Sequence, residues 1–186
     1  DIDATLVLSL QNASAESLEI LRCVASLPVP LPIPWIASQI EKKTEDITRV
    51  IDKFCEQRLL RWDKCAGENV VCMSSSSLSD NVLTRLGAWK PTLETTVETQ
   101  SNEPISSMWR IANVAAQVYA GRPEPCDWRD IGTEMISLGL ANAVLTVADR
   151  IEASQKSTEL HRICGDAWAA LGQIDPAVTS YEHLPV

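Results

Sequence analysis

The chain has 186 residues, 45% of them hydrophobic, enough to bury the core of one large domain or two small ones and to exclude global disorder. Its formal net charge of −9 argues against nucleic acid or an anionic membrane as the main partner. The acidity is uneven: residues 1–90 carry 12 acids and 10 bases, residues 91–186 carry 13 acids and 6 bases.

Six cysteines (Cys23, Cys55, Cys65, Cys72, Cys126 and Cys164) are scattered without a C-x-x-C pair, which reads as reduced thiols and a cytoplasmic protein. Cys65 and Cys72 are placed where a hairpin could bring them face to face. Two histidines, His161 and His183, are too few for an ordinary zinc site, so no metal and no cofactor is expected. No apolar run reaches the length of a membrane span, no signal peptide is visible, and a start at Asp1 rather than Met reads as a piece of a longer chain.

In chain order, the alternating Leu6, Leu8 and Leu10 suit either an extended segment or a helix entry. "SAESLEILRCVASL" is a helix: Ser14 is its partial cap, Glu16 and Glu19 favour its start, and Leu18, Leu21, Cys23, Val24 and Leu27 are its apolar stripe. The prolines of "PVPLPIP" end it, and Pro34 suits the first turn of a second helix, "PWIASQIEKKT". Thr44 reads as the cap of a third, "EDITRVIDKFCEQRLL", whose Ile47, Val50, Ile51 and Phe54 lie on one face. "LLRWDKCAGENVVCM" comes next as two strands around Ala66-Gly67-Glu68-Asn69, then a helix starting near Ser79 or Asp80. That order is the order of a winged helix, three to four helices with a small β-hairpin wing, over residues 1–90.

Residues 91–104 carry many Thr and Glu with little periodicity and read as a linker. From Ile105 to Val186 the pattern is helical: one helix stopping at Gly121, then two pairs broken near Gly139 and Gly172. Ala143 and Ala177 are 34 residues apart, as are Val147 and Tyr181, while Gly139 and Gly172 are 33 apart. These are the spacings of a tetratricopeptide repeat, in which small residues sit where helices cross and aromatics fill the gaps. Gly165, Trp168, Gly172, Ala177 and Tyr181 fit it well, and the preceding unit is degenerate. The expected class is therefore mainly α: a winged helix followed by antiparallel helical hairpins of tetratricopeptide-like type, with further repeats to come.

On "LVLSLQNASAESLEILRCVASLPVPLPIPWIASQI", "VIDKFCEQRLLRWD", "VVCMSSSSLSDNVLTRLG" and "LHRICGDAWAALGQIDPAVTSYEHL", the chain resembles the arm of STAND-class signal-transducing NTPases, the NB-ARC and NACHT group. The resemblance implies a P-loop core upstream, a winged helix that relays its state, and repeats that sense a ligand. The chain itself has no G-x-x-x-x-G-K-[ST], and Ser74 stands about where the family often keeps a nucleotide-contacting histidine. No nucleotide-binding residue is carried over.

The third helix places Glu45, Asp46, Arg49, Asp52, Lys53 and Glu56 off its apolar face, a sum of −2 where phosphate contact asks for positive charge. Arg58, Arg61 and Lys64 near the wing are the exception. The acids scatter as solvated helix faces do, Ser74–Ser77 lack a nearby histidine in sequence, and Cys126 and Cys164 read as core residues, so no catalytic residue is expected. Of the six tryptophans, Trp168 reads as core, while Trp62 and Trp89, with Arg58 and Arg61, are the candidates for contact with a protein partner. The expected function is a non-catalytic regulatory segment. A DNA-binding transcription regulator and a helical-repeat scaffold of a larger complex are the alternatives.

Overall fold

A computed structural model describes residues 2–91, 106–121, 128–151 and 157–184, with side chains from Leu6 onward. The chain divides into two compact units, Asp1–Pro104 and Ile105–Val186. Among the described residues it is mainly helical, with one small three-stranded antiparallel sheet. Most of the expected linker, from residue 92 on, lies outside the described residues, as does Cys126.

In the first unit, α1 (Ile2–Gln11) and α2 (Ala15–Ser26) are consecutive helices. The leucines near the start thus belong to a helix, not to a strand. Ser14 caps α2 by accepting from the Ser17 N–H at 3.1 Å. The proline run then does more than stop α2: Leu31–Pro32 form a short strand, β1, paired with Val71 and Val70. A proline is tolerated there because β1 is an edge strand and its missing N–H breaks no ladder. Helix α3 (Ile33–Ile40) carries Pro34 in its first turn, and Glu41 in the left-handed conformation ends it.

Helix α4 (Thr44–Glu56) begins at the residue expected to cap it, one position earlier than expected. Lys43 is the N-cap, without a side-chain bond, and Thr44 is the first helical residue. Its buried face is Ile47, Ile51 and Phe54, with Val50 only half-buried. Strands β2 (Leu60–Cys65) and β3 (Glu68–Met73) pair antiparallel around the two-residue turn Ala66-Gly67, and the sheet order is β1-β3-β2. Both turn residues have positive φ, 52° and 80°, as a tight twisted hairpin requires. The register pairs Cys72 with Arg61 and Cys65 with Glu68, so the two hairpin cysteines do not face each other. Helix α5 (Ser76–Leu86) starts earlier than Ser79, because Ser75 caps it by accepting from the Leu78 N–H at 3.3 Å.

The core of this unit contains the fully buried Trp35, Leu31, Ile36, Ile47, Ile51 and Val71. Polar ties then lock α2 to the chain beyond β3. Ser79 donates to the Ala25 carbonyl at 2.6 Å, and Ser26 accepts from the Trp89 N–H at 2.8 Å. The Arg22 guanidinium donates to the carbonyls of Gly87 and Ala88 at 3.3 and 3.0 Å.

The second unit holds α6 (Ser107–Tyr119), α7 (Trp128–Ser137), α8 (Ala141–Ala148), α9 (Thr158–Ala170) and α10 (Ile174–Glu182). Helices α7 and α8 form one hairpin and α9 and α10 a second, with α9 also packed against α7 and α8. The two hairpin turns are built alike. Leu140 N–H donates to the Met135 carbonyl at 2.8 Å, and Gln173 N–H to Trp168 at 2.9 Å. Gly139 donates to Ile136 at 3.0 Å, and Gly172 to Ala169 at 2.9 Å. Each turn passes through a left-handed glycine, φ 77° at Gly139 and 73° at Gly172.

Those bonds coincide at a shift of 33 residues, which also carries Gly132 onto Gly165. Ala177 and Tyr181 therefore correspond to Val144 and Ala148, one residue away from the 34-residue matches read from the sequence. Both glycines are close-approach positions. A Cβ on Gly132 would fall 2.5 Å from Cγ2 of the buried Ile163, and one on Gly165 would overlap the Tyr181 ring. Trp168, expected in the core, is only half-buried.

Candidate functional site

The sequence-derived contact residues cluster by number but separate in space. Strand β2 alternates its side chains between two faces, so Arg61 and Trp62 point to opposite sides of the hairpin. Trp62 keeps 38% of its surface exposed and donates its indole N–H to Asp52 of α4 at 2.9 Å. Arg61 lies across from Cys72, donating to its Sγ at 3.1 Å, with Asp63 at 3.8 Å on the same face. The bond to Cys72 is the main cause that raises the Arg61 pKa, the field of Cys72 and that of Asp63 adding to it and slight burial opposing it. Arg58 is exposed in the turn after α4, at φ 59°.

Trp89 is elsewhere and inside. It is 7% exposed, meets the edge of Trp35 with ring centroids 6.1 Å apart, and its backbone is tied to Ser26. It packs inside the first unit, unlike Trp62. Its aromatic size alone did not distinguish the two roles.

The exposed side of α4 is acidic and partly self-neutralised. Arg49 sits 3.5 Å from Asp46, and Asp52 is engaged by Trp62, leaving Glu45 and Glu56 exposed. A cleft of about 160 Å³ opens beside α4, lined by Leu8, Asn12, Ser17, Lys53, Phe54 and Gln57 among others. That is about half the smallest usual volume of a small-molecule site, roughly 300 Å³.

Thiol chemistry is disfavoured where the causes are clear. Burial, with Glu19 nearby, pushes the Cys23 thiol far up, and burial first and a neighbouring aspartate second raise Cys55 (Asp52) and Cys65 (Asp63). The serine run is structural at Ser75, which caps α5, while the Ser74 N–H donates to the Leu59 carbonyl at 3.0 Å. Among the described residues no group of three or more His, Cys, Asp or Glu could hold a metal, and no helix is long and apolar enough to cross a membrane.

One surface escaped the sequence reading. Helix α10 exposes Ile174, Val178 and Tyr181, by 64%, 50% and 36%. Their i, i+4, i+7 spacing puts them on one face, a signal present in "IDPAVTSYE" but indistinguishable there from a buried stripe. The Tyr181 hydroxyl donates to Asp166 Oδ1 at 2.7 Å, and that bond is the first cause pushing its pKa up to about 12. His161 and His183 lie nearby with ring centroids 4.9 Å apart.

Comparison with family models, curated proteins and solved structures finds no match to this chain.

Proposed function

We propose that this chain is a non-catalytic, protein-binding relay segment: a winged helix whose third helix packs rather than reads DNA, followed by tetratricopeptide-like hairpins. The winged-helix reading is supported by the order α2-β1-α3-α4-β2-β3 with sheet order β1-β3-β2. The repeat reading is supported by two hairpins whose turns carry the same bonds at a 33-residue shift. In this reading the segment joins a STAND-class nucleotide switch to a sensor, and does so by changing how its domains pack.

The observation that carries the relay over DNA reading is the outward face of α4. A recognition helix places its exposed residues against phosphates and base edges, yet Glu45, Glu56 and Asp52 outweigh Arg49 and Lys53 there. Labelled duplex DNA at low salt tests it by fluorescence anisotropy. No saturable binding is expected, and affinity that falls steeply with salt would overturn the reading in favour of a DNA-binding regulator. The switch half has its own test in the full reading frame. A G-x-x-x-x-G-K-[ST] motif encoded upstream of Asp1 is expected, and its absence removes the NTPase while leaving the protein-binding module.

A further inference from the structure

The cleft beside α4 joins three features of the first unit that its packing leaves unused. Its apolar lining is unfinished. Val50, on the core-facing stripe of α4, is only half-buried, and Leu8 of α1 is 59% exposed, while Phe54 is closed off at 2%. Gln57, the residue that ends α4, also lines the cleft, and its Oε1 is buried without a hydrogen-bond partner. A buried acceptor left unpaired is costly, so an entering donor is favoured there over an apolar group. Among the described residues Lys53 is the one charged group in the lining, and no ion pair engages it. Asp52, its neighbour in sequence, is held by the Trp62 indole.

Size and spacing narrow the ligand. A cavity of about 150 Å³ takes one benzene ring. This cleft measures about 160 Å³. Lys53 and Gln57 stand four residues apart on one face of α4, so opposite ends of a single ring can serve both. Two further polar residues of the lining are already engaged. Asn12 Nδ2 donates to the Leu8 carbonyl at 2.9 Å, and the Ser17 hydroxyl shares a hydrogen bond of 2.9 Å with Ser14. We infer that the cleft is a binding site for a small single-ring phenolic carboxylate. The ring lies against Leu8, Val50 and Phe54, the phenol O–H donates to Gln57 Oε1, and the carboxylate pairs with Lys53. This site lies wholly in the first unit and goes beyond the relay reading, and its test depends neither on DNA nor on an NTPase.

The probes are 4-hydroxybenzoate, benzoate and phenol, each titrated into the 186-residue chain and followed by two-dimensional amide NMR. 4-Hydroxybenzoate is expected to shift amides of α1, α2 and α4 saturably, with a Kd of about 1 mM or tighter. Benzoate lacks the donor and phenol lacks the anion, so each is expected to bind roughly fivefold or more weakly. Two variants divide the contacts. Lys53→Ala, at an exposed position, is expected to erase the preference for 4-hydroxybenzoate over phenol. Gln57→Leu is expected to erase the preference over benzoate and to keep the preference over phenol.

Saturable shifts from none of the probes, or shifts away from these helices, overturn the site. Weakening of all three probes alike by either variant overturns the contact assigned to that residue, since a loosened fold acts on every ligand. N-acetyltyrosinamide is the remaining arm, because it offers the same phenol as part of a polypeptide. Tighter binding by it than by 4-hydroxybenzoate assigns the cleft to a tyrosine side chain and rejects the free carboxylate.

Discussion

The two units solve the problem of joining helices in different ways. In the first, short polar ties fix the pieces: Ser79 to Ala25, Ser26 to Trp89, Arg22 to Gly87 and Ala88, and a sheet in which β1 docks on β3. In the second, helices approach closely where a side chain is missing, at Gly132 beneath Ile163 and Gly165 beneath Tyr181. Polar ties specify particular partners and bring their pieces to a definite end. The close approach recurs at the 33-residue interval, and α10 keeps Ile174, Val178 and Tyr181 exposed. The contrast assigns directed polar ties to the first unit and close helix approach at glycine to the second.

The most severe way to break the contrast is Trp35→Ala. Trp35 is fully buried and supports Trp89 edge-on, so its loss removes the centre around which the polar ties of the first unit are arranged. Truncating a buried tryptophan costs about 3–5 kcal/mol, a large share of the stability of a small domain. Hydrogen exchange resolved by segment is the measurement. Protection is expected to collapse across α2–α5 and to persist across α7–α9, and uniform loss in both units would show that they unfold together.

A smaller effect sharpens the comparison inside the second unit. Gly132→Ala and Gly165→Ala are the same chemical change at corresponding positions of the two hairpins. Alanine in a helix is favoured over glycine by roughly 0.5–1 kcal/mol. At Gly132 the new methyl meets Ile163, which is buried and enclosed, and overpacking of this kind costs about 1–3 kcal/mol. At Gly165 it meets the ring of Tyr181, which is partly exposed and can move towards solvent at the cost of its exposed bond to Asp166, a loss that the helix preference for alanine offsets. Denaturant unfolding is therefore expected to show net destabilisation for Gly132→Ala and almost none for Gly165→Ala. Equal losses would mean that Tyr181 is as enclosed as Ile163.

How much of this was legible in the sequence depends on the range of the interactions. Helix existence, the stops at Gly121, Gly139 and Gly172, and the β2–β3 hairpin all rest on local periodicity and turn chemistry, and they stand in the sequence. Strand β1 does not, because two residues within a proline run become a strand only through pairing with Val70 and Val71. The start of α5 was hidden by four adjacent serines, any of which has the chemistry of a cap. The sequence offered both intervals, 33 between Gly139 and Gly172 and 34 between Ala143 and Ala177, and the hydrogen bonds of the turns decide for 33; Ala143 and Val144, both apolar and neighbouring, could not. For the candidate site, Trp62 and Trp89 are alike in sequence, and only the ties of Ser26 and Trp35 separate the buried one from the exposed one. The α10 face was invisible for the converse reason: an apolar stripe says that something covers it, not whether that something is present.

The smallest expected effect is a titration, and it tests whether Tyr181 is held or loose. Its hydroxyl donates to Asp166, so the bond exists only while the phenol keeps its proton. Ionising the phenol breaks the bond and places a negative charge beside Asp166, which is why its pKa stands at about 12 rather than 10. A group whose folded pKa is raised contributes stability below its unfolded pKa. The contribution of Tyr181 is therefore complete below about pH 10 and is lost as the pH rises towards about 12. In a Tyr119→Phe background Tyr181 is the remaining tyrosine, and its ionisation is read by ultraviolet absorbance. Asp166→Asn removes the acceptor charge and is expected to bring the midpoint down towards 10. Gly165→Ala is expected to do the same by a different route, because displacing the ring takes the hydroxyl away from an intact carboxylate. A midpoint that stays high in Gly165→Ala would mean that the ring is held in place, and that α10 is packed on α9 as tightly as the buried helices are on one another.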